Sequence, residues 1–311
     1  MLLRRYVPSG RGGPVAIAAV LGVALVSGVA VGAFEGAIDK WFSLFLVFPA
    51  LIGLAAGGGA VWMVQRQRLR APLLALVLGA AGGAAGYLAI HVVDYARFRS
   101  DIGGAYSGQN PQASEAETAA AIDEILVEET GESGFRGFLE IAARNGVSIK
   151  HMGASDKGLA LTGTGAWLLW LGELLVAAGI AGFMARGRAK EPFCEACEVW
   201  YGPEQTLAIG GSGEKLAHRA VLAAFDSGDL DAAAGALAVP PTPRGNFVLT
   251  ASTCPQCAAE AHCTLKRVTT KKQKPEVSVL DTWLLTKDDV TRFSDALARA
   301  HAQPRPGGLS G

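Results

Sequence analysis

Four stretches of this chain carry almost no charge, and they set its first subdivision. Pro14 to Phe34 is 21 residues without a charged side chain, and Phe42 to Val64 is 23. Pro72 to Val93 is 22 residues, with only His91 titratable near neutral pH. Thr164 to Met184 is 21 residues with one acid, Glu173. A helix needs about 20 apolar residues to cross about 30 Å of hydrocarbon. The pattern therefore predicts four membrane-spanning helices; helices buried in soluble cores rarely run this long without a charge. The first stretch follows Arg4, Arg5 and Arg11, as a signal peptide would. It is too long for the apolar region of one, and "VGAFEG" is a poor cleavage site, so it reads as a retained helix.

Between the third and fourth stretches the period changes. "SEAETAAAIDEILVEETG" opens with Ser114 and Glu117 at capping-box spacing, carries an apolar stripe of Ile122, Ile125 and Leu126, and stops at Gly131. "SGFRGFLEIAARNG" reads as a second helix, capped by Ser133 and stopped at Asn145–Gly146. "VSIKH" alternates like a short strand, and "SDIGGAYSGQNPQ" reads as an irregular linker. Beyond Arg186, "EKLAHRAVLAAFDSGDLDAAAGALA" gives two short helices broken at Ser227–Gly228, and "PPTPRG" a stiff turn. "NFVLTAS", "HCTLKRVTT" and "PEVSVLDTWLLT" read as strands, the last two joined by the basic loop "KKQK". Thr286 and Asp289 cap a final helix, and "QPRPGGLSG" reads as a disordered tail.

The expected architecture is an α-helical membrane protein: a four-helix transmembrane bundle, a small extracytoplasmic helical hairpin and an α+β cytoplasmic domain. Its parts are a tail (1–13), helices one to three (14–93), an outer loop with the hairpin (94–163), helix four (164–185), the cytoplasmic domain (186–302) and a second tail (303–311). Composition agrees: half of the 311 residues are hydrophobic, 18% are charged, and 40 are Gly. The net charge of zero hides a segregation. The N-terminal tail, the second loop and the segment after the fourth span each carry three basic residues, whereas the third loop has 6 basic and 11 acidic ones. Basic residues near span ends stay in the cytoplasm. Both termini are thus expected to be cytoplasmic, with the acidic loop outside. Trp41, Trp167 and Trp170 would lie at the outer interface and Trp62 near the inner one. Spans rich in Ala and Gly fit a bacterial inner membrane.

Small residues recur four apart in Gly28 with Gly32, Gly53 with Gly57, Gly79 with Gly83, and Gly82 with Gly86. Such spacing lets helix backbones approach closely. It reads first as packing inside one bundle, with a homo-oligomer face as the alternative. Glu173 is an acid within a span, which marks it as a functional candidate. Tyr87, His91 and Tyr95 share one face of the third helix with Asp94 adjoining, a possible polar cluster at the outer mouth. His91 is the nearest titratable partner for Glu173, although the helix rise separates them by roughly 12 Å in depth. The plainer reading is a protonated Glu173 bonded to a neighbouring carbonyl or hydroxyl.

All five Cys lie beyond Arg186, and the outer loop, where disulfides are permitted, has none. Cys194 and Cys197 form one CxxC pair, Cys254 and Cys257 another. A CxxC turn points two sulfurs at one ion at about 2.3 Å, and two such turns complete a tetrahedron around Zn2+. Four thiolates leave no open position, so the site is expected to be structural. An iron–sulfur cluster and a redox pair are the alternatives. A redox pair wants a helix N-terminus in a βαβ setting, which neither pair shows, and Glu195 and Glu198 would raise the thiol pKa. Cys263 is a substitute ligand or a buried strand thiol. His262 and His218 read as ordinary histidines or substitute ligands.

"CEAC" and "CPQC", followed by paired strands, resemble zinc-ribbon modules over residues 192–200 and 247–285. That resemblance implies a zinc held by Cys194, Cys197, Cys254 and Cys257. Two departures stand out. The pairs are 56 residues apart rather than about 15–20, which implies a helical insertion. The Gly common after each knuckle is replaced by Glu198 and Ala258.

No phosphate loop, dinucleotide fingerprint, metalloprotease helix or Ser/His/Asp arrangement is found, so no catalytic residue is assigned. Three functions remain. The first is a membrane-anchored binding, scaffold or regulatory protein whose zinc-stabilised domain recognises a cytoplasmic protein. The second is a small-molecule or ion transporter using Glu173 and His91. The third is a membrane-bound thiol redox protein. Lys266, Arg267, Lys271, Lys272 and Lys274 make a basic hairpin, but few aromatics accompany it, which speaks against nucleic acid and leaves solvent or anionic lipid as its surroundings.

Overall fold

The computed structural model describes residues 3–38, 46–149, 159–211, 215–240, 245–271 and 274–302. Trp41, the start of the second predicted span at Phe42, His151, residues 241–244 of "PPTPRG", Lys272 and the 303–311 tail lie outside them. Along the chain come β1 (Arg4–Arg5), α1 (Pro14–Ile38), α2 (Val47–Arg66), α3 (Pro72–Gln109), α4 (Glu115–Thr130), α5 (Gly134–Asn145), β2 (Val147–Ile149), β3 (Leu159–Leu161) and α6 (Thr164–Ala189). Then follow β4 (Phe193–Cys194), β5 (Val199–Trp200), β6 (Gln205–Gly210), α7 (Lys215–Ser227), α8 (Leu230–Leu237), β7 (Asn246–Thr253), β8 (Glu260–Lys271), β9 (Lys274–Thr286) and α9 (Lys287–Ala302). The chain divides into two compact units, Ser9–Lys190 and Met1–Pro8 with Glu191–Gly311.

In the first unit, α1, α2, α3 and α6 are long and apolar enough to cross a membrane. Their packing follows from the small residues. The buried positions of α1 are Ala16, Val20, Ala24, Gly28, Gly32 and Gly36, with Glu35 beside them. That is a stripe four residues apart, and α6 repeats it with Ala177, Ala181, Ala185 and Ala189. Large side chains such as Val26, Leu54, Leu88, Leu175 and Phe183 point outward. A Cβ on Gly86 would sit 2.6 Å from the Gly28 carbonyl oxygen, and one on Gly79 2.6 Å from that of Ala181. The four Gly pairs of the sequence therefore face neighbouring helices of the same chain, where close backbone approach supplies dispersion contacts.

α3 departs from expectation. "SDIGGAYSGQNPQ" is not an irregular linker through most of its length, because the helix continues to Gln109. The extension is covered by the α4–α5 hairpin. Tyr95 meets Phe135 and Phe138 at 5.6 and 5.5 Å, Phe98 meets Phe138 at 5.4 Å, and Gly103 leaves room for Thr118 and Ile122. Tertiary packing here outweighs the low helix propensity of Gly103 and Gly104. The Ser114–Glu117 capping box forms in both directions, at 3.3 and 2.7 Å. Ser133 makes no side-chain cap; Asp123 Oδ1 accepts the Gly134 N–H instead, at 3.1 Å. β2 and β3 pair antiparallel before α6.

The second unit is built on a five-stranded antiparallel sheet in the order β1-β9-β8-β7-β6. Alternation along the strands sends Phe247, Leu249, Leu265, Trp283 and Leu285 to a face shared with Val221, Phe225, Leu237 and Phe293 of α7, α8 and α9. Phe225 stacks on Trp283 with centroids 4.7 Å apart. Thr286 and Asp289 cap α9 reciprocally, as their spacing predicts. Two strands of this sheet were not foreseen. β6 pairs with β7, so the segment between the CxxC pairs is not a purely helical insertion. β1 comes from the N-terminal tail and pairs with β9.

Candidate metal centre

Each CxxC sits in a tight turn. Cys194 ends β4, and the chain returns as β5 with Cys194 opposite Val199 and Phe193 opposite Trp200. The Cys197 backbone N–H donates to the Cys194 sulfur. In the second turn the N–H groups of Cys257 and Gln256 donate to the Cys254 sulfur, and Ala258 N–H to the Cys254 carbonyl at 3.1 Å. Glu198 and Ala258 hold φ of 54° and 47°. These are the two positions where the sequence lacks the expected Gly. The knuckle conformation is thus kept without it, at about 1–2 kcal/mol for each side chain placed in the left-handed region.

The two turns are joined by backbone. β7 delivers Cys254, and the Gly202 N–H donates to the Thr253 carbonyl at 2.9 Å, tying the exit of the first turn to the entry of the second. The sulfurs of Cys194, Cys197, Cys254 and Cys257 all lie within 4.8 Å of one another, and those of Cys194 and Cys257 are 3.8 Å apart. A tetrahedron with metal–sulfur bonds of about 2.3 Å has edges of about 3.8 Å. All five Cys are free thiols. The group does not include Cys263, which is fully buried on β8 between Ala251 and Trp283. Nor does it include His262 or His218. His262 lies edge-on to Tyr6 at 4.9 Å, and His218 lies 6.3 Å from Phe247.

The thiols differ in acidity. Burial pushes Cys254 up, but the two backbone N–H donors outweigh it and bring it down to about 6. Cys197 is pushed up to about 12, chiefly by sharing a proton with Cys257 and then by burial. Burial also raises Cys194. The expected influence of Glu195 and Glu198 is not what raises these thiols; burial and neighbouring sulfurs are. One sulfur ionises readily, and a divalent cation would supply the charge that ionises the rest. Four sulfurs without a water position suit a closed site. Cys263 is pushed up to about 12 by burial, so it is a poor nucleophile.

The polar residues expected to cluster around Glu173 fall into two groups. The Tyr87 hydroxyl donates to Glu173 Oε2 at 2.8 Å, and Tyr87 is 4% exposed. His91 lies edge-on to Tyr87 at 5.2 Å and to Trp170 at 5.1 Å. Tyr95 instead joins the Phe135–Phe138 cluster, and Asp94 pairs with Arg97 at 3.7 Å. Glu35, which follows the uncharged stretch ending at Phe34, belongs to α1 and is buried, with neither carboxyl oxygen hydrogen-bonded among the described residues. Its position one residue before Gly36 on the packed stripe was the available signal. Tyr6, whose hydroxyl accepts the Phe193 N–H at 3.2 Å beside the first knuckle, left no signal in the sequence. Comparison with protein families, with curated proteins and with solved structures finds no match for this chain.

Proposed function

We propose that this chain is an integral membrane protein that anchors a cytoplasmic domain folded around a structural Zn2+, with a binding, scaffold or regulatory role toward a cytoplasmic protein. The single observation that carries it is the four-sulfur group of Cys194, Cys197, Cys254 and Cys257. The ion would hold two knuckles from distant parts of the chain together, and its closed coordination argues for structure over catalysis. The zinc-ribbon resemblance supports the same reading, now with Glu198 and Ala258 in the conformation that Gly would favour. β1 supports the topology: Arg4–Arg5 share a sheet with the C-terminal domain, which fits both termini lying on one side of the membrane. The basic residues flanking the spans support a cytoplasmic location for that side.

The test is metal content of the purified full chain with a parallel thiol titration. The full chain is needed because β1 belongs to the sheet. One zinc per chain, with four cysteines protected until a chelator is added, is the expected result. Freely reactive thiols and no metal would turn the assignment toward the redox reading, and stoichiometric iron toward a cluster.

A second reading, transport of a small molecule or ion, draws on the Tyr87–Glu173 hydrogen bond with His91 beside it. A polar pair within a span is the usual mark of such a path. Flux into vesicles that is abolished by Glu173→Gln would support it; unchanged flux would remove it.

A further inference from the structure

The edge of β9 holds two residues of strand from the far end of the chain. Arg4 pairs with Leu284 and Arg5 with Trp283, and the Tyr6 N–H reaches the Thr282 carbonyl at 3.4 Å. Each side chain of this short segment has its own receptor. Leu3 packs against the apolar core. Arg4 Nη2 lies 3.2 Å from both carboxylate oxygens of Glu260. Arg5 Nη2 bridges Asp226 at 2.9 Å and Asp281 at 3.0 Å. The Tyr6 hydroxyl donates to the Glu191 carbonyl and accepts from the Phe193 N–H, both at 3.2 Å. The receptor is also braced from behind. The buried Trp283 donates its indole N–H to Asp226 at 3.1 Å, so one acid is oriented by a group outside the segment.

We propose that the β9 edge is a peptide-recognition site working by strand addition, that it reads an extended apolar–basic–basic–aromatic segment, and that its ligand is this chain's own Leu3–Tyr6. In such recognition the backbone ladder gives affinity and the side-chain receptors give specificity. The segment is an exchangeable ligand, for three reasons. It contributes only two ladder residues. The Arg4 and Arg5 side chains are 69% and 55% exposed, and exposed ion pairs are weak and screened by salt. Its link to α1 is "VPSGRGG", with three Gly, and Val7 is already 76% exposed, so recognition ends at Tyr6. Release of the segment would bare the β9 backbone from Thr282 to Leu284 beside three acids. Nothing in this inference depends on which ion the sulfur group takes.

The experiment uses the whole chain in detergent, lacking only residues 2–6, and a fluorescent peptide of residues 1–10, read by anisotropy. The truncated chain should bind the peptide saturably. Arg5→Glu in the peptide, or a rise from about 0.01 M to about 0.5 M salt, which shortens the Debye length about sevenfold, should weaken binding at least tenfold. The intact chain should bind at least tenfold more weakly, because its own segment competes. A truncated chain that keeps its metal and circular dichroism yet binds no peptide would overturn the proposal. Equal binding of the Arg5→Glu peptide would do the same. If the truncation unfolds, Arg5→Glu in the full chain is the second variant. It should admit the unmodified peptide that the native chain excludes, and continued exclusion would count against the site.

Discussion

The two units are held together in opposite ways. In the helical unit the buried surface is Ala and Gly, and the large apolar side chains face outward. In the C-terminal unit the buried surface is Trp283, Phe225, Phe247, Phe293 and the leucines around them, with a four-sulfur group beside the sheet. On the proposed reading, with the helical unit in a membrane and the C-terminal unit in water, the difference follows from the two solvents. In hydrocarbon, an apolar side chain gains nothing by leaving lipid, so helices associate through close backbone contact, which small residues permit. In water, burying large apolar groups is the main driving force. A substitution that enlarges a residue should therefore damage the first unit, and one that shrinks a residue should damage the second.

The largest effect should come from the sulfurs. Cys254→Ser, or chelation of the proposed ion, should unfold the knuckles and much of the C-terminal unit while α1, α2, α3 and α6 persist. Metal-dependent folding energies in small zinc domains are about 10–16 kcal/mol. Proteolysis confined to residues beyond Glu191, with helical circular dichroism retained, is the readout. A C-terminal unit that resists protease without metal would erase that part of the contrast.

Next comes the size of core residues. Phe225→Ala removes the ring stacked on Trp283 and should cost the C-terminal unit about 3–5 kcal/mol. Gly86→Val should destabilise the helical unit by about 1–3 kcal/mol, since its side chain would meet the Gly28 carbonyl. Each should leave the other unit's melting unchanged. If both variants lower both transitions, the units do not melt separately.

Smaller effects sharpen the picture within the C-terminal unit. Ala258→Gly should stabilise it by up to about 1 kcal/mol, because Gly adopts the left-handed turn without penalty. A loss of stability would mean that the Ala258 methyl packs usefully. The smallest effect concerns acid. Burial pushes Asp226 up, but the Trp283 indole and Arg5 outweigh it and hold its carboxyl below the usual range. Its contribution is present above the unfolded pKa and fades as pH falls through the lower folded value. Asp226→Asn should therefore flatten the acid limb of a pH–stability curve and leave the neutral region less stable.

Legibility tracked how local each feature is. The Ser114–Glu117 and Thr286–Asp289 caps were readable because each joins residues three apart. The break between α7 and α8 at Gly228 was readable for the same reason. The end of α3 was not, because Tyr95, Phe98 and Gly103 stay helical against a hairpin that follows later in the chain. Glu35 lies just past the uncharged run that ends at Phe34, although the helix goes on to Ile38. β1 was hidden in a tail whose arginines served equally well as an orientation signal.

By itself, the sequence determined four helices long and apolar enough to span a membrane and the two CxxC turns. Length, apolarity and a two-residue ligand spacing are properties of contiguous chain, and no distant partner is needed to specify them. Only the tertiary structure decided that four sulfurs meet within 4.8 Å, and that Cys263 does not join them. It also decided that the N-terminal segment completes the sheet. These outcomes depend on pairings such as Gly202 with Thr253 and Arg5 with Trp283, between residues far apart in sequence. Such pairings form only when the whole domain closes its core, and no local pattern encodes them.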